Sequence, residues 1–173
     1  MIKSKNLSLS SVISVSKKAA SVAPSKLGVE PGSKIKVEDA IKALVVKSAN
    51  DVAVALAEHI SGNEATFARL MTQKAKKIGM EKTVFRNASG LPNKEQFTTA
   101  KDMVSLALRL QKDFPDLYKF FSLKTFTFEG KIYQTHNTLL ESFDGVDGIH
   151  NHCHKKIHDN ERRRQNEENE EHP

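Results

Sequence analysis

Ser48-Ala49-Asn50 places a hydroxyl and a carboxamide two positions apart, where one apolar helical segment ends and another begins. At such a junction both side chains can face one cleft. The hydroxyl can shuttle a proton there and the carboxamide can hold a peptide carbonyl. A tripeptide of this kind also arises by chance, and a serine and an asparagine at a helix junction can both simply cap the neighbouring helices. Two further strings, Ser14-Val-Ser-Lys17 and Ser33-Lys-Ile-Lys36, each set a serine three positions ahead of a lysine. His150, His152, Cys153, His154 and His158 are metal-capable side chains at short spacing. Their neighbours are polar and offer few ordered partners to orient a ligand set, so adventitious zinc or nickel is expected there and no functional metal site.

The elements that must position these groups follow from the patterning. A chain of 173 residues suits one domain or part of a larger one. With 38% hydrophobic and 28% charged residues it can build a core of modest size. The formal charge is +6, and residues 1–149, with 22 basic against 15 acidic side chains, carry +7. The lysines are spread out, with no Arg-rich stripe and no aromatic stacking motif, so a solvated surface is expected and nucleic-acid binding is not. The single cysteine, Cys153, excludes an internal disulfide. The first residues lack the apolar run of a secretory signal, and no stretch reaches membrane-span length. On that reading the chain as written stays in the cytoplasm.

Residues 10–16 alternate as a short strand does, and residues 21–36, rich in Ser, Pro, Gly and Lys, read as a loop. A helix is expected from Val37, with Glu38 and Asp39 in its first turn and Ile41, Leu44 and Val45 on its apolar face. Asp51-Val-Ala-Val-Ala-Leu-Ala57 is apolar on all sides and predicts a helix buried at the centre. Asn63 is a good N-cap for the next helix, whose stripe is Phe67, Leu70, Met71, Ala75 and Ile78 and whose terminator is Gly79. Residues 83–93 read as a loop with a tight turn at Ser89-Gly90. Thr99 and Asp102 form a capping box ahead of Met103, Leu106, Ala107 and Leu110. A short helix near Pro115 ends about Phe121. Two strands then flank Glu129-Gly130 as a hairpin. Asp144-Gly-Val-Asp-Gly-Ile149 approaches another strand. From His150 the chain is too polar to offset its ordering entropy, and disorder is expected.

In order along the chain stand Val37-Glu-Asp-Ala-Ile, Leu44-Val-Val-Lys-Ser-Ala-Asn-Asp51, Ala55-Leu-Ala-Glu58 and Gly79-Met-Glu-Lys-Thr-Val-Phe85. They are followed by Ser89-Gly-Leu-Pro92, Thr98-Thr-Ala-Lys-Asp102, Thr135-His-Asn-Thr-Leu-Leu140 and Gly145-Val-Asp-Gly-Ile149. This series resembles the serine D-alanyl-D-alanine carboxypeptidases, the low-molecular-mass penicillin-binding proteins. Residues 10–36 also look like the family's loop ahead of these pieces, so the resemblance covers about 140 residues. It implies an α+β, mostly helical part of the penicillin-binding protein/β-lactamase-like fold: the helical subdomain and a β-hairpin, with an incomplete sheet. Residues 1–149 would be the partial catalytic domain and 150–173 a polar tail.

By the same resemblance the parent activity removes the terminal D-Ala of a peptidoglycan stem peptide ending in D-Ala-D-Ala. The route is an acyl-serine that β-lactams also form, with no cofactor. Ser48 would be the proton-relay hydroxyl and Asn50 would bond the substrate's peptide carbonyl. The family's nucleophilic Ser-x-x-Lys and its Lys-Thr-Gly strand have no clear counterpart. After Ile149 the chain reads His150-Asn151-His152 in place of Lys-Thr-Gly. A shifted reading frame would produce this junction, and sequencing the gene for Lys-Thr-Gly in the next frame tests it. The chain alone is therefore expected to be inactive. A non-catalytic peptidoglycan-binding remnant and a class A β-lactamase-like protein are the alternatives. Family members act outside the cytoplasmic membrane.

Overall fold

A helix of small residues occupies the centre of the molecule. In the computed structural model, which describes residues 7–142, helix α3 runs from Asn50 to Ser61. Val52, Ala53, Val54, Ala55 and Ala57 are all buried in it. Short side chains on every face let neighbours approach closely from all directions, so the helix needs no polar side. Strand β1 (Val12–Ser14), helix α1 (Lys17–Ser21) and helix α4 (Glu64–Lys77) pack around it.

β1 pairs antiparallel with β2 (Lys34–Lys36), with Ile13 opposite Ile35. Both isoleucines are buried and their neighbours along each strand are exposed, the two-residue alternation of a half-buried sheet. The strand expected within residues 10–16 is present. Residues 21–36, expected to be a loop, end in β2, and α1 was not expected at all. Three residues of strand hold too little alternation to be visible without the partner strand, and five residues of helix hold too little periodicity. Ser16 starts α1 by accepting from the Ala19 amide at 2.9 Å.

Helix α2 (Val37–Lys42) begins where expected, with Glu38 and Asp39 in its first turn. Lys42 donates to Glu38 at 2.8 Å, and that hydrogen bond, aided by the lysine's charge, holds the Glu38 carboxyl below its ordinary range. The chain then widens into a π-helical turn, Ala43–Lys47. The most buried positions are Val37, Ala40, Ala43 and Val46, a correction to the expected Ile41, Leu44 and Val45 face. The wider turn changes the phase of the helix, and alanines fit the close contact with α3. Ile41 and Val45 instead line an apolar groove of about 250 Å³ with Leu110, Phe114, Leu117 and Phe121.

α4 is capped by Asn63, whose Oδ1 accepts from the Thr66 amide at 2.8 Å. Ala68 and Ala75 are its buried residues, and Leu70, expected on the stripe, is exposed. Gly79 ends the helix at φ +87°, where the Met80 amide reaches back to the Ala75 carbonyl at 3.0 Å and the Gly79 amide to Lys76 at 3.1 Å. Helix α5 (Ala100–Asp113) starts on Thr99, whose Oγ accepts from the Asp102 amide at 3.2 Å. The reciprocal half of the expected capping box is absent. Asp102 accepts instead from the Lys82 amide at 2.9 Å and the Thr83 hydroxyl at 2.6 Å, fastening α5 to the turn after α4. Helix α6 (Pro115–Tyr118) and a 3₁₀ turn (Lys119–Ser122) follow.

Strands β3 (Thr125–Phe128) and β4 (Lys131–Gln134) form the expected hairpin. Glu129 and Gly130 turn it at φ +48° and +74°, the pair of positive angles that matches strand twist. The hairpin packs against the π-helical turn. A short helix α7 (Leu139–Ser142) closes the described chain. The expected strand at 144–149 and the tail at 150–173 lie outside the described residues.

Replacing Gly79 by Ala meets no atom within 4 Å but must hold a positive φ, so a loss of about 1 kcal/mol is expected in urea unfolding. Ile35→Ala empties a buried site opposite Ile13 and is expected to cost about 2–5 kcal/mol in the same measurement.

Candidate active site

Ser48 sits where the π-helical turn reverses into α3. Its backbone is left-handed, φ +56° and ψ +42°, a conformation that costs a residue with a Cβ roughly 1–2 kcal/mol. Its amide donates to the Leu44 carbonyl at 3.1 Å, closing the turn. Its Oγ is shielded from solvent and has no hydrogen-bond partner among the described residues. A π turn, a strained backbone and an unpaired hydroxyl therefore coincide at one serine. Each is a cost to folding, and such costs gather where a side chain must be aimed.

Ala49, not Ser48 or Asn50, occupies the N-cap of α3, and no side chain caps it. The capping alternative thus fails for the Ser48 hydroxyl, which bonds no helix-end amide. The open end of α3 is covered by a distant loop, residues 23–29. The Asn50 amide donates to the Ser25 carbonyl at 2.8 Å. The Asn50 Nδ2 donates to the Ala23 carbonyl at 3.0 Å, which leaves its second N–H uncommitted by that bond. Ser25 Oγ donates to the Lys47 carbonyl at 2.9 Å.

Asp51 was expected only as the first residue of the buried helix. Its carboxylate is fully buried. Oδ1 accepts from the Leu27 amide at 3.0 Å and the Val52 amide at 2.9 Å. Oδ2 accepts from the Gly28 amide at 2.8 Å and, at a longer 3.4 Å, from Val29. No lysine or arginine among the described residues forms an ion pair with it. Backbone dipoles and the α3 N-terminus carry the stabilisation of this charge. On the other side of the loop, Tyr133 from the hairpin donates to the Leu27 carbonyl at 3.2 Å, its ring stacked on Phe126 with centroids 5.3 Å apart. The 48–51 turn, the 23–29 loop and the hairpin are thereby one connected unit.

The serine–lysine strings are not part of it. Ser14 lies on the exposed side of β1 and Lys17 opens α1, so they share no helix face. Ser33 donates to the Glu30 carbonyl at 2.6 Å, and Lys36 ends β2, where a loop was expected. Neither serine opens an apolar helix. No cluster of three or more metal-capable side chains occurs among the described residues, and the histidine-rich segment lies outside them.

The sequence pattern of the Peptidase S11 family, described as D-alanyl-D-alanine carboxypeptidase, matches residues 1–153. The chain belongs to this family. It is 32% identical over 154 residues to the D-alanyl-D-alanine carboxypeptidase DacF of Bacillus subtilis, covering 83% of this chain and 38% of that protein. Its fold superposes on the crystal structure of the D-alanyl-D-alanine carboxypeptidase DacD from Francisella tularensis with a TM-score of 0.80 at 32% identity, covering 85% of this chain and 48% of that one. Penicillin-binding protein D2 from Listeria monocytogenes, solved in its ampicillin-bound form, superposes with a TM-score of 0.72 at 30% identity, covering 85% and 60%. The chain thus spans well under half of its curated carboxypeptidase relative and about half of the solved ones. The expected fold, a helical part of the penicillin-binding protein architecture with a hairpin and little sheet, agrees with these superpositions and with the two small sheets observed.

Because the Ser48 hydroxyl is buried without a partner among the described residues, Ser48→Ala is expected to be neutral or to stabilise the chain by up to about 1–3 kcal/mol in urea unfolding. Ser48→Gly relieves the positive φ and is expected to be neutral or stabilising by up to about 1 kcal/mol. A loss above about 1 kcal/mol in the alanine variant would show that the hydroxyl is paired in the folded chain.

Proposed function

We propose that this chain is the Ser-x-Asn portion of a serine D-Ala-D-Ala carboxypeptidase, with Ser48 as the proton-relay hydroxyl and Asn50 as the amide that holds the substrate's peptide carbonyl. The observation that carries the reading is the buried, unpartnered Ser48 Oγ on a left-handed residue beside the clamped Asn50, in a chain of this family. A hydroxyl kept free of bonds can accept a proton and pass it on without first breaking a contact. The Asn50 carboxamide, already tied through one N–H, presents the other with little freedom left to lose.

The substrate is a peptidoglycan stem peptide ending in D-Ala-D-Ala. The intact enzyme removes the last residue through an acyl-serine, and a β-lactam traps the same serine. The family members act outside the cytoplasmic membrane, and we extend that location to the parent of this chain. Among the described residues no helix is long and apolar enough to cross a membrane. We take residues 1–149 as the catalytic-domain portion and 150–173 as a tail; the family match, residues 1–153, ends near that division and runs four residues past it. The 173 residues hold no Ser-x-x-Lys at the head of an apolar helix and no Lys-Thr-Gly.

A hybrid tests the roles. Residues 7–142 replace the matching stretch of Bacillus subtilis DacF, which supplies the missing motifs. The hybrid is expected to label with fluorescent penicillin and to release D-Ala from a stem peptide, while the 173-residue chain alone gives no covalent band. In the hybrid, Ser48→Ala and Asn50→Ala are each expected to slow acylation by about 10²–10³. Wild-type acylation rates in both variants would remove the assigned roles, and a band from the unmodified chain would reveal a nucleophile within it.

A further inference from the structure

Asp51 has no place in the chemistry above, yet it is the most elaborately bonded side chain of the unit. A fully buried carboxylate without a cation is costly unless its oxygens are filled by donors. Here the donors are the consecutive amides of Leu27, Gly28 and Val29, from a segment more than twenty positions earlier in the chain. That segment continues backwards into the two carbonyls, Ser25 and Ala23, that receive the Asn50 amide and the Asn50 Nδ2. The bonds form a closed circuit: carboxylate to loop amides, the Ser25 carbonyl to the Asn50 backbone amide and the Ala23 carbonyl to its carboxamide, and Asn50 through the chain to the residue that carries the carboxylate.

We propose that Asp51 is the positioning residue of this site, setting the direction of the Asn50 carboxamide through the 23–29 loop. Its catalytic meaning rests on the carboxypeptidase reading, but the mechanical coupling does not. Asp51 and Asn50 are adjacent in α3, so their side chains diverge on the helix and cannot touch a common target directly. The loop supplies the connection. Gripped by Asp51 at 27–29, it holds the Ala23 carbonyl where Nδ2 can reach it, and the amide plane is fixed. Released, the loop carries that carbonyl away and the carboxamide is free to rotate. Tyr133 grips the same loop through a single neutral hydrogen bond at Leu27 and is the weaker of the two holds.

The test is amide hydrogen exchange by NMR on the 173-residue chain, with the Asn50 side-chain couplings read alongside. In Asp51→Asn the carboxamide turns a donor toward the Gly28 and Val29 amides. Exchange at Leu27, Gly28 and Asn50 is expected to quicken by about tenfold or more, and the Asn50 χ1 couplings to average over rotamers. The amides of Met80 and Phe97, bonded far from the loop, serve as controls and should not change. Tyr133→Phe should give a smaller effect at the same sites. If only 27–29 quicken while the Asn50 amide and its rotamer stay as they were, Asp51 merely holds a loop and the proposal is overturned. Should Asp51→Asn fail to fold, native-state exchange of the wild-type chain in low urea decides. A single shared opening for Leu27, Gly28 and Asn50 supports the coupling, and separate openings overturn it. None of these measurements uses a peptide or a β-lactam, so a hybrid that fails to acylate would sink the carboxypeptidase reading and leave this result standing.

Discussion

A carboxylate removed from water and satisfied only by backbone amides is the constraint on which the site depends. Asp51 could not remain buried in α3 without the loop amides, and the loop could not lie over the start of α3 without an acceptor for them. Each makes the other affordable in free energy. The consequence is a helix whose first turn is capped by a segment distant in sequence. An N-cap side chain at residue 49 would accept from the second or third amide of the helix. Here the third, Val52, is taken by Asp51 itself, and the first, Asn50, by the Ser25 carbonyl of the loop.

Two costs are accepted at the same place. Ser48 holds a left-handed backbone that glycine would hold more easily, and its hydroxyl is shielded from water without a bond. The π-helical turn before it departs from the regular ladder of α2. Packing from outside sustains this geometry: the hairpin on the turn, alanines at 40 and 43 against α3, and the Phe126–Tyr133 stack that leads to Leu27. At residues 43–51 a π-helical turn, a left-handed serine and a helix start without a side-chain cap stand together against local propensity. That conflict is the pattern expected where function and stability make different demands.

The elements most visible in the sequence were those with long or singular local signals. α3 announced itself by small apolar residues on every face, the hairpin by alternating aromatics around Glu129-Gly130, and the end of α4 by Gly79. What escaped was set by partners elsewhere in the chain. β2 is a strand only because β1 lies beside it. Leu70 had the spacing for the α4 stripe, but Ala68 and Ala75 make the close approach. Asp102 had the spacing of a capping box, yet its carboxylate is drawn to Lys82 and Thr83. Ser48 and Asn50 were singled out through resemblance to a family. Asp51 was not, because an acid in a first turn looks the same whether it faces water or the amides of a loop.

The most direct measurement is a crystal structure of the hybrid enzyme carrying a covalently bound penicillin. Ser48 Oγ and Asn50 Nδ2 should lie on the acyl group's side of the cleft, with Nδ2 about 3 Å from the amide carbonyl of the bound drug. An adduct in which both side chains face away from the ligand, beyond about 5 Å from any of its polar atoms, would contradict the placement of this turn as a wall of the acylation cleft.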